Sequence, residues 1–270
     1  MIFVVKSDSI VTYFCQAMHK MLGVRIDPLT KQEILEKAKT WLSGSETHTF
    51  YTPNPEMLVA AHRNLGFRDI LNSGDMNVCD GFGIQLMSGG VYTRFPGADL
   101  VLSLCELAER EGKSVYFIGG KSGAAKQAAE KLKERFAGLS IHFVQKSDNI
   151  TIKQCDNRAM YTIVDKGQHD EILSDIVLAK PDILFVAFGH GKQEWWIDTF
   201  KSELPGVKIL MGVGGTFDFL AGVIPRAPKL FRRIGIEWLW RLIHQPSRIK
   251  RIFTAVIVFP YLVLKSYVVK

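Results

Sequence analysis

Apolar and polar positions along the chain fall into two alternating regimes. Six short apolar, β-rich runs stand out: THTFYT (47–52), MNVCD (76–80), SVYFIG (114–119), SIHFV (140–144), DILFVAFG (182–189) and VKILMGVGG (207–215). Most are near-continuous in apolar residues, the pattern of strands covered on both faces. Between them the spacing turns helical: TKQEILEKAKTWL (30–42), PEMLVAAHRNL (55–65), ADLVLSLCELAEREG (98–112), SGAAKQAAEKLKERF (122–136), HDEILSDIVLAK (169–180) and KQEWWIDTFKSEL (192–204). Strands alternating with helices predict an α/β fold, with a Rossmann-like, mostly parallel sheet and helices on both faces.

In such sheets the ligand sits outside the carboxyl ends of the strands. Those ends carry Thr52-Pro53-Asn54, Cys79-Asp80-Gly81, Gly119-Gly120, Gly189 to Gln193, and Gly214-Gly215. Single glycines are common turn residues. Glycine beside a polar group at so many strand ends points instead to a binding cleft.

After residue 225 the pattern changes. IPRAPKLFRRIGIEWLWRLIHQPSRIKR is basic and aromatic, and the apolar run IFTAVIVFPYLVL (252–264) follows, broken by Pro260. A spanning helix needs roughly 20 apolar residues, so this run is too short alone. Its basic flank with Trp238 and Trp240 favours an element in the membrane interface over a core helix. The chain therefore divides into an N-terminal extension (1–21), an α/β domain (22–225) and a basic helical C-terminal appendage (226–270).

Charge sharpens that division. The net charge is +7, yet residues 226–270 hold ten Lys/Arg against the single acid Glu237. The other 225 residues carry 24 basic and 26 acidic side chains. Such a patch attracts anions: a phosphorylated ligand, nucleic acid or an anionic membrane. At 47% apolar and 23% charged residues, the chain has the composition of a folded globular protein. Cys15, Cys79, Cys105 and Cys155 form no C-x-x-C pair, which fits a reducing compartment. The start MIFVVKSDSI lacks the features of a secretory signal and reads as retained.

Candidate chemistry is sparse and specific. Gly120-Lys121-Ser122 resembles the end of a P-loop, but Val115 stands where that loop needs its first glycine, which argues against ATPase chemistry. Gly212-Val213-Gly214-Gly215-Thr216-Phe217 matches only the first half of G-x-G-x-x-G. Both loops lie between a strand and a helix, where backbone amides can hold a diphosphate or simply make a tight turn. There is no H-E-x-x-H, cysteine cluster or D-x-D pair, so no metal or other cofactor is expected. Positive charge for a bound diphosphate would then come from the appendage arginines. Asp80 is either a general base or a helix cap, and Asp99 and Asp218 read as caps. Gln193, at the start of a helix beside Gly189-His190-Gly191, suits a sugar hydroxyl. Glu194 in a first helical turn suits the helix dipole. Trp195 and Trp196 read as core, and no Ser/His/Asp order supports a hydrolase.

Seven stretches together resemble the WecG/TagA/CpsF family, glycosyltransferase family 26. They are TPNPEMLVAAHRN (52–64), VCDGFGIQL (78–86), PGADL (96–100), VYFIGGKSGAAKQAAEKL (115–132), AKPDILFVAFGHGKQEWWI (179–197), GVGGTFDFLAGVIPRAP (212–228) and GIEWLWRLIHQPSRIKR (235–251). They run in family order over about residues 22–251. The resemblance implies an inverting, metal-independent transfer from a UDP-sugar, often UDP-N-acetylmannosamine, to a polyprenyl-diphosphate-linked sugar. It implies a role in teichoic acid, common antigen or exopolysaccharide assembly. It places the enzyme in the cytoplasm, peripheral at the inner membrane face through the appendage, with self-association as an expectation and no nucleic-acid partner.

Residue by residue, the family's D-G-x-G aspartate falls on Asp80, the base that the resemblance implies. Its Asn-Pro-Glu stretch falls on Asn54, Pro55 and Glu56, with Thr52 just before. K-Q-E falls on Lys192, Gln193 and Glu194, and the appendage arginines fall on Arg241, Arg248 and Arg251. Thr52, Asn54 and Gln193 would orient sugars, and Gly119, Gly120, Gly189, Gly214, Gly215 and Glu194 complete the expected substrate-binding set. Two places depart from the family pattern. Gly191 stands where the family has proline, and residues 144–167 do not match. Two rivals rank lower. An NAD-type oxidoreductase lacks the full glycine fingerprint and the ribose-binding acid. A binding module using only the basic tail would leave the polar strand ends without a role.

Overall fold

The computed structural model describes residues 20–120, 123–144, 152–155 and 160–268. It opens with a hairpin in which β1 (Lys20–Met21) pairs antiparallel with β2 (Val24–Arg25). Helix α1 (Lys31–Ser43) begins at a reciprocal cap: the Thr30 hydroxyl accepts from the Glu33 amide at 3.2 Å, and the Glu33 carboxylate accepts from the Thr30 amide at 2.7 Å. Strand β3 (His48–Tyr51) runs into α2 (Pro55–Arg63), which Asn54 caps by accepting from Met57 N–H at 3.1 Å. Asn64 ends α2 and caps α3 (Leu65–Ser73).

The chain continues through β4 (Met76–Asn77), α4 (Phe82–Met87), α5 (Gly97–Arg110), β5 (Ser114–Gly119), α6 (Ala124–Arg135) and β6 (Ser140–Phe143). A second hairpin, β7 (Ile152–Cys155) and β8 (Met160–Ile163), precedes α7 (Lys166–Ala179). Then come β9 (Ile183–Ala187), α8 (Lys192–Phe200), β10 (Ile209–Gly212) and α9 (Thr216–Leu220).

The main sheet has the order β4-β3-β10-β9-β5-β6, and every pairing in it is parallel. The expected α/β, Rossmann-like architecture is therefore present. Side chains alternate between two cores, as a pleated strand requires. Tyr116, Ile118, Leu184, Val186 and Leu210 enter one, with Leu58, Ile176 and Trp196 from the helices on that face. Val115, Phe117, Ile183, Phe185 and Met211 enter the other, with Ala38, Leu104 and Ala128. All six expected strands and all six expected helices form.

The sequence pattern, which ended its helix at 65, did not show α3, although one asparagine both ends α2 and caps α3. It also missed the two hairpins and gave no bounds for α4 and α9, which are too short to carry a periodicity. Residues 1–19, Lys121-Ser122, 145–151 and 156–159, on which several expectations fell, lie outside the described residues.

The basic appendage is helical as expected. It comprises α10 (Lys229–Arg233), α11 (Glu237–His244), a 3₁₀ turn (Pro246–Arg248), α12 (Ile249–Phe253), a π turn (Thr254–Val258) and α13 (Phe259–Val268). The run expected in the membrane interface rather than the core divides its faces. Phe259 and Val263 are fully buried in the core that holds Met57, Leu58 and Ile84, while Phe253, Ile257, Tyr261, Leu264 and Tyr267 are exposed. A helix of this periodicity has room for both faces. Among the described residues no helix is long and apolar enough to cross a membrane. The turn between α10 and α11 closes onto α4 at Gly235, whose φ is +79° and where any Cβ would collide with the Phe82 ring.

Candidate active site

A cleft of about 460 Å³ lies outside the carboxyl ends of four adjacent strands, β4, β3, β10 and β9. Their loops bring Asp80, Thr52 and Asn54, Gly214 and Gly215, and Gly189 to its wall. The appendage closes the opposite side with Trp238, Arg241, Arg248 and Arg251, and with Ile252, Ala255, Val256 and Pro260 from α12, the π turn and α13. A π turn displaces the side chains that follow it relative to a regular helix.

Asp80 sits deep in this cleft. One carboxylate oxygen accepts from Gly97 N–H at 3.1 Å. A Cβ placed on Gly97 would lie 3.6 Å from the other oxygen and 3.5 Å from Thr52 Oγ1, so these two polar groups share one corner. Burial pushes the Asp80 carboxyl up to about 6, against the pull of Arg241, Arg94 and the Gly97 amide. A carboxylate with such a value keeps its negative charge at neutral pH and is a far better proton acceptor than an exposed one. Asp80 does not cap the helix that follows it, since Gly81 precedes α4 without a side-chain cap, but it does hold the first amide of α5 through Gly97.

Gln193 lines the cleft as expected, and Glu194 does not. Gln193 is buried and bridges two elements: its Oε1 accepts from Gly214 N–H at 2.8 Å, and its Nε2 donates to Glu194 Oε1 at 2.7 Å. It lines the cleft and holds the Gly214 loop in place. Glu194 does not line the cleft. Its carboxylate is buried and accepts from Gly191 N–H at 2.6 Å. Burial raises its pKa to about 7, opposed by the Gln193 and Gly191 hydrogen bonds.

Gly119 and Gly120 also stay off the cleft wall, and the Gly120 amide is already spent on Ala187 O at 3.0 Å. Their strand β5 lies beyond β9 in the sheet, one place too far along. Asn54 lines the cleft, but its Oδ1 is committed to capping α2.

The three appendage arginines do converge. Arg241 stacks over Phe219 with its guanidinium carbon 4.7 Å from the ring centroid, and lies 3.4 Å from Glu237. Arg251 Nε donates to Glu56 at 2.5 Å. Arg248 Nη2 lies 3.7 Å from where a Gly215 Cβ would sit, beside the amides of the Gly214 loop. Burial, then the charges of Arg251 and Arg241, lower the Arg248 pKa. Mutual repulsion of this kind marks a site that gains when an anion enters.

Sequence reasoning missed the groups that fix the appendage. Arg94 donates to Glu237 at 3.0 Å and to the Arg232 carbonyl at 2.9 Å. Arg226 reaches Asp99 at 2.7 Å, so Asp99 anchors the appendage and caps no helix. No sequence spacing links these pairs. The only signal was the lone acid Glu237 in a basic segment.

A parallel α/β sheet with a cationic, helix-covered cleft at its carboxyl edge defines a binder of a phosphorylated ligand that carries a poised carboxylate. The comparisons then fix the family. Residues 19–270 match the Glycosyl transferase WecG/TagA/CpsF family, and the chain belongs to it. The protein is a glycosyltransferase. The match extends past the 22–251 expected from the motifs and takes in the apolar tail.

Among relatives, the N-acetylglucosaminyldiphosphoundecaprenol N-acetyl-beta-D-mannosaminyltransferase of Staphylococcus aureus strain MRSA252 is 28% identical over 252 residues, covering 91% of this chain and 92% of that protein. The protein of the same name from strain MW2 is 27% identical over the same shares.

Proposed function

We propose that this protein transfers a sugar, N-acetylmannosamine or a related hexose derivative, from a UDP-sugar to a polyprenyl-diphosphate-linked sugar. The polymer under assembly is a cell-surface polysaccharide or teichoic acid. The relatives' names support the transferred sugar and the acceptor class. The observation that carries the mechanism is the meeting of Asp80 with Arg241, Arg248 and Arg251 in one cleft, although they lie far apart along the chain.

The reaction is a single displacement with inversion. Asp80 takes the proton of an acceptor hydroxyl, helped into place by Thr52. The hydroxyl oxygen forms a bond to the anomeric carbon as the bond from that carbon to the diphosphate breaks. The electron pair leaves with UDP, where Arg248 beside Gly215 offsets the growing charge, with Arg241 and Arg251 nearby. Cationic side chains do here what a divalent ion does in other sugar transferases, so the transfer is metal-independent.

The apolar wall of Ile252, Ala255, Val256 and Pro260 suits the start of an isoprenoid chain. The exposed stripe of Phe253, Ile257, Tyr261 and Leu264 suits the surface of an inner membrane leaflet. The protein would then work peripherally at that face.

The test is UDP release by the purified full-length protein. A short-chain polyprenyl-diphosphate-N-acetylglucosamine is supplied with each of several UDP-sugars in EDTA. The expected result is release that needs both the acceptor and one donor. Release abolished by EDTA and restored by a divalent ion rejects metal independence. No release from any donor, in folded protein with lipid present, rejects the substrate assignment.

A further inference from the structure

His190 lies on the cleft wall in the loop after β9, and none of the roles above uses it. Its Nδ1 is 3.3 Å from Arg251 Nη2. A guanidinium has only N–H donors, so Nδ1 must be the lone-pair nitrogen and the ring proton must sit on Nε2. Arg251 is itself held by Glu56 at 2.5 Å. A relay thus runs from the first turn of α2, through the appendage, to the β9 loop.

Burial and then the Arg251 charge hold the imidazole below its ordinary pKa, with Arg248 adding to the effect and Glu56 opposing it. The ring is therefore neutral at pH 7 and offers one N–H. Among the described residues that Nε2–H has no hydrogen-bond partner.

We propose that His190 is a ligand-binding residue whose Nε2–H donates to a diphosphate oxygen, and that Arg251 sets the tautomer that makes it a donor. This rests on the transferase reading of the cleft. The position supports it: His190 shares the wall with Gly189, the Gly214 loop and Arg248, where anionic oxygens are favoured. A neutral donor adds a hydrogen bond there without adding a fourth cation to three crowded guanidiniums. The relay also ties the β9 loop to the appendage, because the residue that sets the tautomer is Arg251. Both the nucleotide-sugar and the lipid-linked acceptor carry a diphosphate, so the oxygen belongs to one of the two.

The test uses the full-length protein with ¹⁵N-labelled histidine. Long-range imidazole NMR reads the His190 tautomer at pH 7, assigned by loss of the signal in H190F. UDP and a short-chain polyprenyl-diphosphate-N-acetylglucosamine are then titrated separately into wild type, H190F and H190Q.

The expected tautomer carries its proton on Nε2, and R251A turns it into a mixture. H190F, which keeps the bulk but not the donor, weakens one of the two ligands by roughly 10- to 100-fold, the size of a hydrogen bond to a charged group. H190Q recovers most of that loss. Weakened UDP assigns the oxygen to the donor, and a weakened acceptor analogue assigns it to the acceptor.

A proton on Nδ1, an imidazolium at pH 7, or H190F binding both ligands as wild type does, overturns the proposal. Wild-type binding with no effect of H190F leaves the transferase reading intact. Wild type that binds neither ligand removes that reading, and the proposal with it.

Discussion

Arg94 and Glu237 lie 143 positions apart and meet at 3.0 Å with both side chains largely shielded from water. Arg94 also touches the backbone carbonyl of Asp80 at 3.5 Å. One arginine thus ties the appendage to the loop that carries the proposed base. Removing one member of a shielded pair strands the other's charge and costs about 3–5 kcal/mol, whereas replacing both with apolar groups costs much less. E237L and R94M are each expected to destabilise the protein more than the R94M/E237L double variant does. Urea unfolding of the four proteins measures this, and additive losses would show that the two side chains act separately.

As the proposed base, Asp80 should govern the acid limb of activity. Its carboxyl must be ionised to take a proton, and its pKa is about 6. The rate kcat/KM should rise as pH increases through about 6 and level off above it. D80N should lower kcat by roughly two to four orders of magnitude and abolish that limb.

The stability effect has the opposite sign. The folded value lies above the ordinary 3.8, so Asp80 favours folding most when protonated. That contribution is lost as pH rises from about 4 through 6. D80N is therefore expected to unfold at the same temperature as wild type or higher at pH 7. A D80N protein that is both inactive and much less stable would point to a structural role instead.

Gly191 and Tyr161 mark the two departures from the family pattern, and they touch. Gly191 has φ +84°, which proline cannot adopt. A Cβ there would lie 2.5 Å from the Tyr161 hydroxyl. G191A should cost more than about 1 kcal/mol of stability, and G191P more still. Adding Y161F to G191A should recover the steric part of the loss and leave the backbone strain. Thermal unfolding with and without Y161F separates the two, and no recovery would mean that the hydroxyl moves aside freely.

The exposed stripe on α12 and α13 should govern membrane attachment without touching ligand chemistry. F253E/I257E replaces two exposed apolar groups that do not line the cleft. Sedimentation with anionic phospholipid vesicles is expected to fall by at least tenfold, while UDP affinity in solution stays unchanged. Unaltered sedimentation would move the membrane contact elsewhere on the protein.

Much of the site was legible before the fold was known. The polar strand ends named Asp80, Thr52 and Asn54, and the uneven charge named the segment holding Arg241, Arg248 and Arg251. Roles were less legible. Glu194 looks like a ligand contact in sequence, yet the helix turns it inward to hold the Gly191 loop, while Gln193 lines the cleft and also supports the Gly214 loop. A helix start does not reveal which way its first side chains face, because that depends on what packs against it. His190 carried no signal either, since its partner Arg251 is 61 positions away.

By itself the sequence determined the alternation of strands and helices, the glycine and polar groups at the strand ends, and a basic tail followed by an apolar run. These are local properties, set by how often a residue returns to the same buried side. Only the tertiary structure decided which strand ends became the cleft. Strands β9 and β10 return to insert between β3 and β5, so the loops of β4, β3, β10 and β9 stand together while Gly119 and Gly120 on β5 fall outside. Strand order and the Arg94–Glu237 contact depend on surfaces brought together across the whole chain, and no short window of residues encodes them.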